Sequence, residues 1–306
     1  GTSGYTLSLS GRQFPTLELS SKTAGKKSYS GSGNSNCLIR GNLIVSDNST
    51  LNLSLNGNLI LSGDMKVNGK FQWQPSTSDT VGRELQFNGD SCRVQNYGSF
   101  KAGSNFRKLV VNAGRLNLNT SLRLDFQSQY FEIRNRSILN LDTFYCSGPG
   151  WFKSDSLTVI HIGSIKGISD TTEGNIRMAN LNFHSKTFFC FNSEHNQNTG
   201  LRFPPTISTM IVNKPKGILS LSNSLAVTDS IILSKGKIQS SPTALLEFKG
   251  EKIMGSIESF ISGPFKRTVK LNGSITFPIG DEQIFAPTAV ELKNNLGDMH
   301  SILINY

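Results

Sequence analysis

Charge is scarce in this chain. Only 17% of its 306 residues are Asp, Glu, Lys or Arg. Alanine and the other strong helix formers are thin beside Ser, Thr, Asn and Gly, which disfavours an α-rich enzyme. No stretch repeats apolar residues at i, i+3, i+4 and i+7 over three turns, so no amphipathic helix is expected. No run of eighteen apolar residues occurs anywhere, which excludes a membrane-spanning helix. The four cysteines, Cys37, Cys92, Cys146 and Cys190, form no CxxC and are widely spaced, so a zinc site is not expected. They read as buried thiols, with a disulfide open as the alternative in an exported protein. The four histidines, His161, His184, His195 and His300, make no metal-binding spacing, and GxSxG and P-loop motifs are missing. The chain starts at Gly1 without Met, a basic n-region or an apolar h-region, and reads as a processed product or a segment of something longer.

What is present is alternation. Leu7-Ser8-Leu9, Leu17-Glu18-Leu19, Leu51-Asn52-Leu53, Leu116-Asn117-Leu118 and Leu219-Ser220-Leu221 each put apolar side chains two apart, bounded by Gly, Asn, Ser or Asp. A period of two gives a strand with one face in and one face out. The strands read as three to five residues long, too short for a hairpin sandwich, and whole phrases recur. Gly41-Asn42-Leu43-Ile44-Val45-Ser46 returns sixteen residues later as Gly57-Asn58-Leu59-Ile60-Leu61-Ser62, which reads as a local rung spacing. A longer phrase, Lys108–Leu124, returns as Met210–Val227, and a looser copy begins at Phe14. The pattern predicts an all-β fold, a right-handed parallel β-helix (β-solenoid) over 1–258, in three loose cassettes from about 14, 106 and 207. Over 259–306 a β-rich closing motif is expected, the start of a sandwich-like C-terminal module. In such a coil Leu43, Val45, Leu51, Leu53, Leu59 and Leu61 point inward, and Asn and Gly turn the corners in left-handed conformations. Gly31-Ser32-Gly33, flanked by polar residues, reads as a flexible loop.

The closing stretch carries a resemblance. Phe189-Cys190-Phe191-Asn192, Gln197-Asn198-Thr199-Gly200 and Pro205–Asn213 form one phrase. Asp229–Ile238 forms a coil phrase, and Phe260–Leu292 contains Gly263-Pro264, Phe277-Pro278-Ile279-Gly280 and Pro287. Together they resemble the β-solenoid regions of large Bacteroidota proteins exported by type IX secretion. Ser193, in place of a glycine, and Phe203-Pro204-Pro205, in place of Leu-Pro, depart from that pattern at corners. The resemblance implies a secreted or cell-surface, extracellular location and an adhesin-like, structural role. It also implies O-glycosylation at Asp-(Ser/Thr)-x sites, whose matches here put Thr80, Ser156, Thr171 and Ser230 forward. The bland reading of each is an Asp-Ser/Thr turn.

The function expected is therefore a non-catalytic stalk or adhesin segment without cofactor. Its expected partners are surface glycans, other cell-surface proteins and the type IX machinery during export, with self-assembly possible and with neither nucleic acid nor membrane insertion. Two alternatives stand beside it: a glycan-binding or polysaccharide-degrading β-helix, and a subunit of a surface filament or cargo of the export machine. An enzyme on this fold needs converging acids. The carboxylates Asp47, Asp64, Asp79, Asp90, Asp125 and Asp142 are dispersed in turn-like positions, with Asp125 and Asp142 the one pair that could share a face. The aromatics could form a sugar-stacking platform but read first as core or packing residues, with Trp151, beside Gly148-Pro149-Gly150, the best candidate for an exposed ring. The net charge of +10 is carried by scattered pairs such as Lys214 and Lys216, which read as solvated loop charges.

Overall fold

The computed structural model describes residues 3–21, 25–73, 83–103, 106–269, 273–281, 283–292 and 300–305. Among them there is no helix, and so none long and apolar enough to cross a membrane. The chain is a parallel β-solenoid of about 12 turns, divided between two compact units, 1–158 with 177–184 and 159–176 with 185–306.

In the first unit each turn visits three faces. The first face stacks Ser3–Ser8, Lys27–Gly33, Ser49–Leu55, Lys70–Trp73 and Ser99–Ala102. The second stacks Gln13–Phe14, Cys37–Ile39, Leu59–Leu61, Glu84–Phe87, Lys108–Val111, Tyr130–Ile133 and part of Cys146–Ser154. The third stacks Leu17–Leu19, Leu43–Val45, Met65–Val67, Cys92–Asn96, Arg115–Leu118 and Ile138–Asn140. Every pairing within these stacks is parallel, and alternate residues bury. Leu43, Val45, Leu51, Leu53, Leu59 and Leu61 all face the core, as their alternation predicts. Aromatic columns continue the core, with Phe71 stacked on Phe100 and Phe131 on Phe152.

The register corrects three local readings. Leu43 lies beside Met65, and Leu59 beside Cys37, each 22 residues away. The sixteen-residue echo therefore places two similar strands on different faces of one turn and is not the rung spacing. Gly31-Ser32-Gly33 is no loop but the end of Lys27–Gly33, paired on both sides. Gly31, in register with the buried Leu53, faces inward, where a Cβ would lie 2.2 Å from Leu9 Cδ1. Most corner asparagines do not adopt left-handed backbone. Among described non-glycine residues only Asn48, Arg83, Asn135, Arg136, Asp142 and Leu157 do. Instead the side chains accept the N–H group of the next coil. Asn36 Oδ1 takes Asn58 N (2.9 Å), and Asn58 Oδ1 takes Glu84 N (3.1 Å). Asn42 Oδ1 takes Asp64 N (2.8 Å), and Asp64 Oδ1 takes Arg93 N (2.8 Å). A strand that bends away from its ladder leaves an N–H without a backbone partner, and a stacked carboxamide or carboxylate fills that gap.

The second unit uses longer strands. Thr206–Ser220 and Leu225–Gln239, fifteen residues each, pair in parallel and run through their corners with register shifts. Ile160, Phe189, Met210 and Ile231 form one core column. Gln197, Leu219, Ile238, Ile261 and Ile279 form another. The recurring phrase is one coil seen twice. Leu109 meets Phe131 on the next turn after 22 residues, and Met210 meets Ile231 after 21. Phe265–Val269 pairs in parallel with Leu246–Phe248 and takes His300–Ile304 antiparallel on its other side. Gly273–Phe277 and Thr288–Leu292 form an antiparallel pair.

Candidate functional site

The densest chemistry lies on the outward side of the second face. Residues in register point the same way, so Glu84, Lys108, Tyr130 and Trp151 make one outward column over four rungs. Gln86, Val110, Glu132 and Lys153 make the next. Arg134, one step further, reaches back across two rungs. Its Nη1 and Nη2 donate to Glu84 (3.2 and 3.1 Å), and its Nε donates to Glu132 (2.8 Å). Lys108 Nζ lies 3.2 Å from Glu132 and 3.7 Å from Glu84, and Gln86 donates to Glu84 (2.6 Å). Val110, on the strand that the Arg134–Glu84 bridge crosses, is consequently 0% exposed although it points outward.

Electrostatics fix the protonation of this cluster. Burial pushes the Glu84 carboxyl up. The hydrogen bonds from Arg134 and Gln86 and the charges of Arg134 and Lys108 outweigh it, and hold the group below its ordinary value. Burial likewise opposes the Arg134 charge, and the hydrogen bonds to Glu84 and Glu132 overcome it, so its pKa is raised. Glu84 is thus a carboxylate near neutral pH and not a proton donor, whereas a glycosidase acid must hold its proton. Asp125 and Asp142 stand elsewhere: Asp125 accepts from Arg123 (2.8 Å), and Asp142 sits at a left-handed turn position. Glu84 and Glu132 were not among the sequence candidates. They are 48 positions apart, and nothing but the coil register brings them together.

Beside the cluster, Lys153 Nζ lies 4.5 Å from the centroid of the Tyr130 ring and 5.8 Å from that of Trp151. Both rings are half-buried, whereas Phe71, Trp73, Phe131 and Phe152 belong to the core and Tyr97 is 71% exposed.

The candidate modification sites occupy three kinds of place. Thr80 lies outside the described residues. Ser156 sits in the turn after Cys146–Ser154 and lines a concavity of about 650 Å³ with Arg136, Asp155, Leu157 and His184. Leu157 holds φ +61°; in register it continues Gly114 (φ +66°) and Arg136 (φ +60°) on the two preceding coils. Thr171 is exposed in a turn where Asp170 Oδ1 accepts from Thr172 N (2.6 Å), Thr172 Oγ1 (2.8 Å) and Glu173 N (2.7 Å). Ser230 is half-buried within Leu225–Gln239, between Thr209 and Lys252, beside a concavity of about 560 Å³.

The second unit hides one more ionisable group. Lys214 is 0% exposed, and its Nζ donates to Ser193 O (2.9 Å), His195 O (2.7 Å) and Gln197 Oε1 (3.3 Å). Gln197 in turn donates to Ile162 O and Ser164 O, both at 2.9 Å. Burial brings the Lys214 ammonium down to about 8. Its expected role as a solvated loop charge is thus corrected: it is an internal clamp at a corner.

All four cysteines are buried as thiols. Burial pushes Cys37 and Cys190 up to about 11 and raises Cys92 and Cys146 as well. Among the described residues no group of three or more His, Cys, Asp or Glu side chains converges on a metal-sized site. The chain matches no protein-family model, no curated protein and no solved structure, so its β-solenoid fold is read from its own register alone.

Proposed function

We propose that this chain is a non-catalytic structural segment, a stalk or adhesin body, of a large secreted or cell-surface protein of the Bacteroidota type IX class. The observation that carries the reading is the use to which the ionisable groups are put. Glu84, Glu132, Arg134 and Lys108 close on one another over Val110, and Lys214 closes on backbone carbonyls. Parallel ladders supply a stiff body, and a sparsely charged outer surface rich in Ser, Thr and Asn suits an extracellular setting with surface glycans and neighbouring surface proteins as partners. The secretion route and glycosylation at Thr80, Ser156, Thr171 and Ser230 rest on the phrases at Phe189–Asn213 and Phe260–Leu292 and on the Asp-(Ser/Thr)-x sites.

Two measurements test this reading. Incubation of the purified chain with a panel of plant and animal polysaccharides, followed by mass spectrometry, is expected to yield no cleavage products. Products that disappear with Glu84→Gln or Glu132→Gln overturn the non-catalytic role. Protein from its native source is expected in the surface or secreted fraction with glycan mass on the four sites. A cytosolic location overturns the surface assignment, and an unmodified mass overturns the glycosylation.

A further inference from the structure

The outward column of the second face has a part that the ionic cluster does not use. Lys108 is committed to Glu132 and Glu84, but Lys153 forms no ion pair among the described residues and rests its ammonium against two aromatic rings. The surrounding unit is the more basic one, with 18 of the 31 Lys and Arg and 10 of the 21 Asp and Glu. Tyr130 and Trp151 lie on adjacent rungs of the same column.

We propose that this face, centred on Trp151, Tyr130 and Lys153, binds a polysaccharide containing uronic acid units. A sugar ring stacks its C–H side on Trp151, and its carboxylate pairs with Lys153. Three observations converge on that chemistry. Half-buried aromatic rings offer a flat apolar surface with a polar edge, which fits a pyranose. The ammonium without an acidic partner asks for an anion on the same ligand. The rungs of a parallel sheet rise by about 4.8 Å, close to the length of one sugar along a polysaccharide, so a chain laid along the column meets one rung per unit. Glu132, the register neighbour of Lys153, is held by Arg134 and Lys108, so Lys153 is the cation left to meet the ligand. One cation beside two half-buried rings suits a sugar polymer, whose hydroxyl groups bond at the ring edges, better than single-stranded nucleic acid, whose backbone asks for a row of cations. The proposal goes beyond the scaffold reading, which stands whether or not this face binds.

The test is affinity electrophoresis and calorimetry on the whole chain with polygalacturonate, with neutral galactan and oligo(dT) run alongside. The expected result is retardation by polygalacturonate alone, weakened by salt. Lys153→Glu abolishes it, and Lys153→Arg retains it. Trp151→Ala weakens it about tenfold, the scale of one lost specific contact. Circular dichroism checks each fold; should Trp151→Ala unfold, the Lys153 variants, altered only on the outer side, decide. Absence of retardation by polygalacturonate overturns the proposal. So do wild-type affinity in Lys153→Glu and binding to oligo(dT) through the same residues.

Discussion

Both units use stacked asparagines at their corners, and the second adds a buried ammonium. In the first, separate short strands meet at bends where stacked Asn36, Asn58, Asn42 and Asp64 side chains accept the N–H of the following coil. In the second, Asn196 Oδ1 accepts Ile218 N in the same way (3.0 Å), but the strands run on through the bend. Gly217 (φ +77°) and Gly236 (φ +85°) make the turn, and the ammonium of Lys214 gathers carbonyls from inside. An asparagine ladder distributes the work over many weak, partly exposed bonds. A buried ammonium concentrates it in one residue. The first arrangement tolerates loss at any position; the second does not.

That contrast can be broken most sharply at its concentrated end. Lys214→Met is expected to cost the second unit about 2–4 kcal/mol, because two backbone carbonyls and the Gln197 amide lose a buried donor. Asn58→Ala in the first unit should cost only about 1 kcal/mol. Urea unfolding followed by circular dichroism measures both, and equal costs would erase the distinction.

Alkaline pH sharpens the comparison next. The folded Lys214 pKa of about 8 lies below the ordinary 10.5, so between these values the unfolded chain holds more protons and stability rises with pH. The thiols act oppositely: Cys37 and Cys190, at about 11 against an ordinary 9.0, lose their contribution as pH climbs through that interval. Both tryptophans, Trp73 and Trp151, lie in the first unit. Tryptophan fluorescence should therefore report stability that only falls above pH 9. Circular dichroism should detect a rise just above pH 8 that Lys214→Met removes.

The smallest effect belongs to a corner in the first unit that uses neither device. Gly114, Arg136 and Leu157 share one left-handed position on three coils, and only the first is a glycine. Leu157→Gly should stabilise by about 0.5–1 kcal/mol, the relief of strain less the entropy that glycine loses. A fall in the urea midpoint would show that the Leu157 side chain contributes packing that outweighs the strain.

Much of the fold is legible in the alternation itself. Leu51-Asn52-Leu53-Ser54-Leu55 can bury one side only, and it does. The coil length was not legible from Gly41–Ser46 and Gly57–Ser62, because similar strands serve different faces and local likeness carries no register. The outward cluster was hidden for the same reason: Glu84 and Arg134 are 50 positions apart and become neighbours two rungs away. Lys214 escaped notice because lysine beside proline and glycine reads as exposed loop, and no single-residue property distinguishes a caged ammonium from a free one. Trp151, expected exposed beside its glycines, is half-buried, and its contact with Lys153, shared with Tyr130 one rung below, appears only with the register.

The bounded coil length has a kinetic consequence. Successive rungs are 18 residues apart at Ile261 and Ile279, 22 at Leu109 and Phe131 and 29 at Lys70 and Ser99. The entropy of closing a loop rises only with the logarithm of its length, so the cost of each closure varies little and does not grow as the chain lengthens. Once two coils have met, every later coil adds to a finished template. Assembly then behaves as zippering from a nucleus, its speed set by the first closure and not by the number of turns that follow.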